Sequence, residues 1–223
     1  SIINIANALR KVIFNGYLVG MTPLEVGNYC ASNCDFCGWR SDNKGMQRKS
    51  VSQETILAEA EYYIQRGIRE IELVCGDHMP TIQNIFPDLV KEIRQKLDAS
   101  GGGKIHICTA ALTQKHYEEF QKIGADAVIT WQETYNSEVY NQHITQGPKA
   151  RGITPTGRLK RNGDGYNFRL TSQDRAAKAG LDVAIGSMLG LNENTNFEVL
   201  STIVHARHLI ETYGFDEKRP LII

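Results

Sequence analysis

The chain has 223 residues, with Lys plus Arg and Asp plus Glu at 25 each and a formal charge of zero, so it lacks the basic excess that a nucleic-acid backbone demands of a partner. Its 41% hydrophobic content is that of a globular chain long enough to bury a core, and one domain over 1–223 is expected. No apolar run of about 18 residues marks a membrane span, and Ser1-Ile2-Ile3-Asn4 lacks the charged start and apolar core of a signal peptide, so a cytoplasmic protein that meets no membrane is expected.

Taken in order, residues 4–15 are apolar at helical spacing (Ile5, Leu9, Val12, Ile13) until Asn15-Gly16 breaks the pattern, which predicts a leading helix. Residues 23–28 read as a short strand. Ser50 or Ser52, followed by Gln53 and Glu54, then predicts a capped helix running to about residue 67. The unit repeats: strand 70–75 and helix 82–97, strand 104–109 and helix 113–123, strand 127–131 and a short helix from Ser137, helix 171–179, strand 181–188 and helix 196–213. Strands alternating with helices across 22–213, with no hairpin signal between them, predict a parallel sheet of the partial (β/α)6 barrel kind. Residues 220–223 read as the opening of a sixth strand, so the barrel is expected to be truncated there. Residues 147–166 carry no periodicity and are rich in Gly, Pro and positive charge. A solvated mobile loop is expected, with a substrate lid as the alternative.

The chemistry concentrates in Cys30-Ala-Ser-Asn-Cys34-Asp-Phe-Cys37, three thiols separated by three and then two residues. Thiolates from one tight loop satisfy three irons of a cubane cluster and leave the fourth iron open, since the neighbourhood offers no further ligand. Two other readings remain: a zinc site completed by His78 or Cys75, and a disulfide with one thiol left over. Cys75 and Cys108 lie in apolar runs and read as buried free thiols. Five cysteines of which three cluster fit a reducing compartment.

The Cys-x3-Cys-x2-Cys spacing, with the aromatic Phe36 just before the last cysteine, resembles the signature of the radical S-adenosylmethionine (SAM) enzymes. That resemblance implies a [4Fe–4S] cluster on Cys30, Cys34 and Cys37, SAM bound to the open iron, a one-electron donor such as flavodoxin or ferredoxin, and a 5′-deoxyadenosyl radical. It also implies SAM contacts at the carboxyl ends of the strands, where parallel barrels gather their chemistry. Gly76-Asp77 stands where the family has a turn holding the SAM amino group. Glu133, just past an apolar strand, suits the ribose hydroxyls, with an N-cap or a structural salt bridge as its ordinary role. Gly186, Met188 and Gly190 resemble the family's adenine-packing pattern, and Arg169 matches an arginine that meets the SAM carboxylate.

Gln132-Glu-Thr-Tyr135, His143 and Gly147-Pro-Lys149, followed by Arg169, are similar to the aromatic amino acid lyase branch. This includes 2-iminoacetate synthase, the hydrogenase-maturation tyrosine lyase and the tryptophan lyase. The branch implies a tyrosine or tryptophan substrate fragmented beside Cα, with Gln132, Tyr135, His143 and Lys149 as pocket residues. As ordinary residues, Tyr135 would be helix packing, His143 a hydrogen-bonded surface histidine and Lys149 a solvated charge. The alternative within enzymes is the group of biotin synthase, methylornithine synthase and the E-type maturase, and outside them a zinc-bound interaction module.

Overall fold

The computed structural model describes residues 1–15, 20–216 and 219–223. Five parallel strands, β1 (Met21–Gly27), β3 (Glu70–Cys75), β4 (Lys104–Cys108), β5 (Ala127–Ile129) and β7 (Asp182–Ala184), stand side by side in that order. An order that follows the chain without reversal is the arrangement of a barrel wall, because a doubly wound sheet turns back on itself at a switch point. Beyond β7, Ile222 forms a parallel bridge to Ala184, with Ile185 N donating to Ile222 O at 2.9 Å and Ile222 N to Val183 O at 3.2 Å. The sixth strand read from residues 220–223 thus begins where expected.

Alternation along each strand decides its two faces. Ile71 and Leu73 of β3 and Ile105 and Ile107 of β4 are fully buried against the helices, in a core shared with Ile56 and Ile64 of α2 (Gln53–Gln65), Leu89, Ile93 and Leu97 of α4 (Phe86–Ala99) and Tyr117 of α5 (Gln114–Lys122). Each such side chain contributes roughly 1.5–3 kcal/mol of burial. The other face carries polar groups, among them Glu70, whose carboxylate meets His106 Nε2 at 2.8 Å.

Several elements depart from the expected pattern. The helix expected over 82–97 is two: α3 (Met79–Asn84) ends at Ile85 and α4 begins beside Pro87, which has no N–H to continue the preceding turn. Helix α2 is capped by Ser52, whose Oγ accepts from Thr55 N at 3.1 Å. Of the strand expected over 181–188 only Asp182–Ala184 pairs as β7, and the helix expected over 171–179 is preceded by a separate turn of helix, α8 (Gly165–Leu170), before α9 (Ser172–Lys178). The leading helix α1 (Ile2–Phe14) forms and ends on Asn15 in the left-handed region at φ 49°, while Gly16 lies outside the described residues. Ile2, Ile3, Ile5 and Val12 of α1 are exposed.

The loop expected over 147–166 is a correction. Its first residues form α7 (Gly147–Arg151), Ile153 is fully buried in the main core, and Ile153 bridges Leu159 antiparallel. One buried isoleucine anchors an excursion whose composition alone reads as solvent-bound. An antiparallel ladder that no hairpin signal announced joins β2 (Asn33–Cys34) to β6 (Ile144–Gln146), two short strands more than a hundred residues apart. Helix α6 (Ser137–His143) runs directly into β6, and α10 (Thr195–Tyr213), capped by Asn194, closes the described units.

Candidate functional site

The cysteine loop follows β1 and is held by backbone bonds on three sides. Ala31 N donates to Asp77 O at 3.0 Å, Asp35 N to His143 O at 3.1 Å, and Ser41 N to Ser32 O at 2.9 Å; within the loop Cys37 N donates to Cys34 O at 2.9 Å. Two glycines permit the approach. A Cβ on Gly76 would stand 2.5 Å from Tyr29 O and 2.8 Å from Cys30 Cβ, and one on Gly147, whose φ is +81°, would stand 2.3 Å from Ala31 O. Ser32 is fully buried between them, donating to Asp77 and accepting from Lys149 N at 3.1 Å. Arg48 ties the chain beyond the cysteines, donating to the carbonyls of Asn28, Trp39 and Arg40 at 2.6–2.8 Å.

All five cysteines are free, which removes the disulfide reading. Cys75 packs in the hydrophobic core, His78 Nδ1 bonds Thr81 Oγ1 at 2.8 Å, and no three His, Cys, Asp or Glu side chains among the described residues are placed to hold one metal ion. The zinc site through His78 or Cys75 is therefore not built. A four-iron cube does not require its ligands to converge on one ion, since each thiolate takes a separate iron.

Cys30, Cys34 and Cys37 line one cavity of about 180 Å³ together with Asp77, Glu133, Lys149 and Arg169. Burial pushes the Cys30 thiol up and the Cys34 thiol up to about 12, against the nearby Lys149 charge. Free thiols there stay protonated, so taking up a metal group must release protons. Cys108 faces the same cavity, and burial also raises it to about 12.

Two cations, from α7 and α8, converge on the carboxylate of the strand-end residue Glu133. Glu133 Oε1 accepts from Lys149 Nζ at 2.6 Å and from Arg169 Nη2 at 3.3 Å. Burial pushes the Glu133 carboxyl up, but Lys149 and Arg169 outweigh it and hold it below the usual carboxylate range. Glu133 sits at φ +72°, in the left-handed region, where a non-glycine residue costs roughly 1–3 kcal/mol and is tolerated only where its surroundings fix it. Met188 N donates to Glu133 O at 2.7 Å, and Ser187 pairs with it as a bridge. Arg169 is 4% exposed and donates through Nε to Trp131 O, while its Nη1 is buried with no partner.

Other residues singled out from the sequence are placed elsewhere. Tyr135 turns outward: its hydroxyl meets His205 Nδ1 at 2.9 Å and its N–H donates to Glu198 at 2.9 Å, so helix packing describes it better than the substrate pocket. His143 bonds the Asp35 carboxylate through Nδ1 at 2.8 Å and its ring meets Phe36 edge-on at 6.5 Å, behind the cysteine loop, which matches its ordinary reading as a hydrogen-bonded histidine. Gln132 is fully buried with neither amide atom partnered. Gly76 is required by Tyr29 and Cys30, and Gly186 by the Trp131 ring, 2.9 Å from where its Cβ would be. Gly190 adopts φ +98° in open space, and Met188 is 40% exposed on the rim. Ser32, Arg48 and Trp131 were given no role from the sequence, and Gly147 was read as part of a motif without its close approach to Ala31. Only Ser32 had a signal, a small polar residue inside the cysteine spacing.

The profile of the Radical SAM superfamily matches residues 24–203. The chain is 26% identical over 213 residues to 2-iminoacetate synthase of Salmonella typhimurium, covering 90% of this chain and 48% of that protein. It is 24% identical to the [FeFe] hydrogenase maturase subunit HydE of Thermotoga maritima, over 97% of this chain and 55% of that one. Among solved structures, the FeFe-hydrogenase maturase HydG of Carboxydothermus hydrogenoformans superimposes with a TM-score of 0.80 at 28% identity, over 97% of this chain and 47% of that chain. The chain thus spans about half the length of the relatives it matches. No helix among the described residues is long and apolar enough to cross a membrane.

Proposed function

This chain belongs to the radical SAM superfamily, whose cofactors are a [4Fe–4S] cluster and SAM, and from that premise we propose that it fragments an aromatic amino acid, tyrosine or tryptophan, beside Cα. The observation that carries the reading is the meeting of the three loop thiols with Arg169, Glu133 and Asp77 around one cavity. Two features fit these groups: three thiols offered by one short loop on a shared cavity, and a buried guanidinium N–H on Arg169 that no described residue satisfies.

Cys30, Cys34 and Cys37 would hold the cluster, with Phe36 packed behind them. Arg169 Nη1 would take the SAM carboxylate, and Asp77 or Glu133 its amino group or ribose. Gly186, Met188 and Gly190 would border the adenine. When bound, cluster and SAM supply a carbon-centred radical able to take a hydrogen atom from the substrate. The chain's own share is to orient and to exclude water: an unpartnered buried N–H such as Arg169 Nη1 gains most from the charged acceptor it was built to meet. Gln132, whose amide is buried and unsatisfied, is the residue best suited to the polar end of a substrate, because a buried amide left unpaired costs about 1–3 kcal/mol. Flavodoxin or ferredoxin would supply the electron.

Anaerobic reconstitution with iron and sulfide, followed by reductant, SAM and either tyrosine or tryptophan, is expected to yield 5′-deoxyadenosine with p-cresol or an indole fragment. Deoxyadenosine without fragmentation would move the substrate to the aliphatic or sulfur-bearing molecules of the alternative branch. No deoxyadenosine at all would overturn the reading.

A further inference from the structure

The unusual electrostatic feature of the cavity is two cations on one carboxylate oxygen. The side chains of Lys149, Arg169 and Glu133 are 16%, 4% and 9% exposed. A buried ion pair balances itself, whereas a cation–carboxylate–cation set leaves one positive charge over. Asp77, buried against Ser32 and lining the same cavity, brings the sum back to zero. Arg40, the other charged lining residue, is paired with Asp42 at 2.9 Å on the half-exposed rim. The buried charges presented to the cysteine loop are therefore two positive and two negative.

Loading the loop breaks that balance. Three thiolates exceed the charge of an oxidised four-iron core by one negative charge, and one-electron reduction adds a second. Of the two buried cations, Lys149 is the one bonded to the loop, while Arg40 on the rim donates to Cys37 O at 3.2 Å as well as to Asp42. The Lys149 N–H reaches Ser32 Oγ, between Cys30 and Cys34, at 3.1 Å. Gly147, two residues earlier, packs on the backbone of Ala31 and Ser32. The Lys149 ammonium lines the cavity with all three cysteines.

We propose that Lys149, rather than touching the substrate, is a positioning residue that acts as the counter-charge of the cysteine loop: its ammonium sets how readily the cluster accepts an electron, and Glu133 tempers it. The proposal rests on the cysteine-loop reading above.

The test is a redox titration of the anaerobically reconstituted chain, followed by electron paramagnetic resonance without SAM, with iron content measured in parallel. Lys149→Met is expected to shift the reduction equilibrium on the order of tenfold toward the oxidised cluster, which is about 59 mV for a one-electron couple. Lys149→Arg restores the wild-type value. Glu133→Gln shifts it the opposite way, and the double variant falls between. A purely structural role would lower iron content in both single variants and would not give opposite signs. Equal potentials in wild type and Lys149→Met at full iron content, or shifts of the same sign in both single variants, overturn the counter-charge role and leave the cysteine-loop reading standing. Should Lys149→Met fail to load iron, the sign for Glu133→Gln decides, and anything but a shift toward the reduced cluster overturns the proposal. A wild-type chain that takes up no cluster overturns both.

Discussion

The two ends of the half-barrel are both charged and are built on opposite terms. At the amino ends of the strands, Lys104 meets Asp182 at 3.1 Å, Asp182 meets Arg219 at 2.7 Å, and Glu70 meets His106 at 2.8 Å, so these carboxylates are all partnered, while Arg69 Nη1 and His106 Nδ1 are buried without a partner. At the carboxyl ends, Arg169 Nη1 and the whole Gln132 amide are buried and unsatisfied, two cations share one carboxylate, and Glu133 sits at positive φ. The floor pairs its carboxylates one by one; the mouth crowds two cations on one carboxylate oxygen and leaves a whole amide unmet. Backbone strain at Glu133 persists only where its surroundings fix it, and the carboxyl ends of parallel strands are where such barrels gather their chemistry, so the proposed function belongs to the mouth.

The sharpest way to break this contrast is at the loop. Cys34→Ala is expected to abolish iron uptake, visible absorbance and SAM cleavage altogether while leaving the urea unfolding midpoint of the iron-free chain nearly unchanged, as measured by iron assay and denaturation. Gly76→Ala drives a Cβ to 2.5 Å from Tyr29 O. It should cost roughly 1–3 kcal/mol by urea unfolding and lower iron occupancy as well, since it pushes the cysteine loop off the β3 turn.

On the outer shoulder of the mouth, burial holds His205 at about 4. It is neutral in the fold, while the unfolded chain takes up a proton at about 6.5. The contribution is therefore intact above that value and is lost as pH falls toward 4, by about 2 kcal/mol at pH 5. Unfolding at pH 7 and pH 5 reads this, and His205→Asn should flatten the difference. At the floor, Asp182→Asn removes the partner of both Lys104 and Arg219. A loss of about 1 kcal/mol is expected, because both cations are partly solvated, with iron content and SAM cleavage unchanged; a fall in either would erase the distinction between the two ends. The smallest effect belongs to Met188→Ala, where losing apolar contact on a half-open rim should weaken SAM binding only a few-fold by equilibrium dialysis.

Short-range pattern carried what the sequence by itself determined: the thiol spacing, the succession of strand and helix, the opening of a sixth strand and the polar residues at each strand end. These are set by neighbours within a few positions, through side-chain alternation, capping and turn chemistry. Pro87 is visible in the sequence too, but the apolar stripe runs on through it and hides the break between α3 and α4.

Which residues meet at the mouth is a matter of tertiary packing. Glu133 reads as a ribose ligand from its place after a strand, and nothing in that place announces Lys149 and Arg169, 16 and 36 residues away, on its oxygen. Tyr135 and His143 stand beside it in sequence but are turned toward His205 and Asp35. The antiparallel bond of β2 to β6 and the buried Ile153 turned a loop without period into a brace for the cysteines. Contacts between distant segments depend on how helices and strands pack, and a linear pattern records each side chain's chemistry without recording the direction in which the fold aims it.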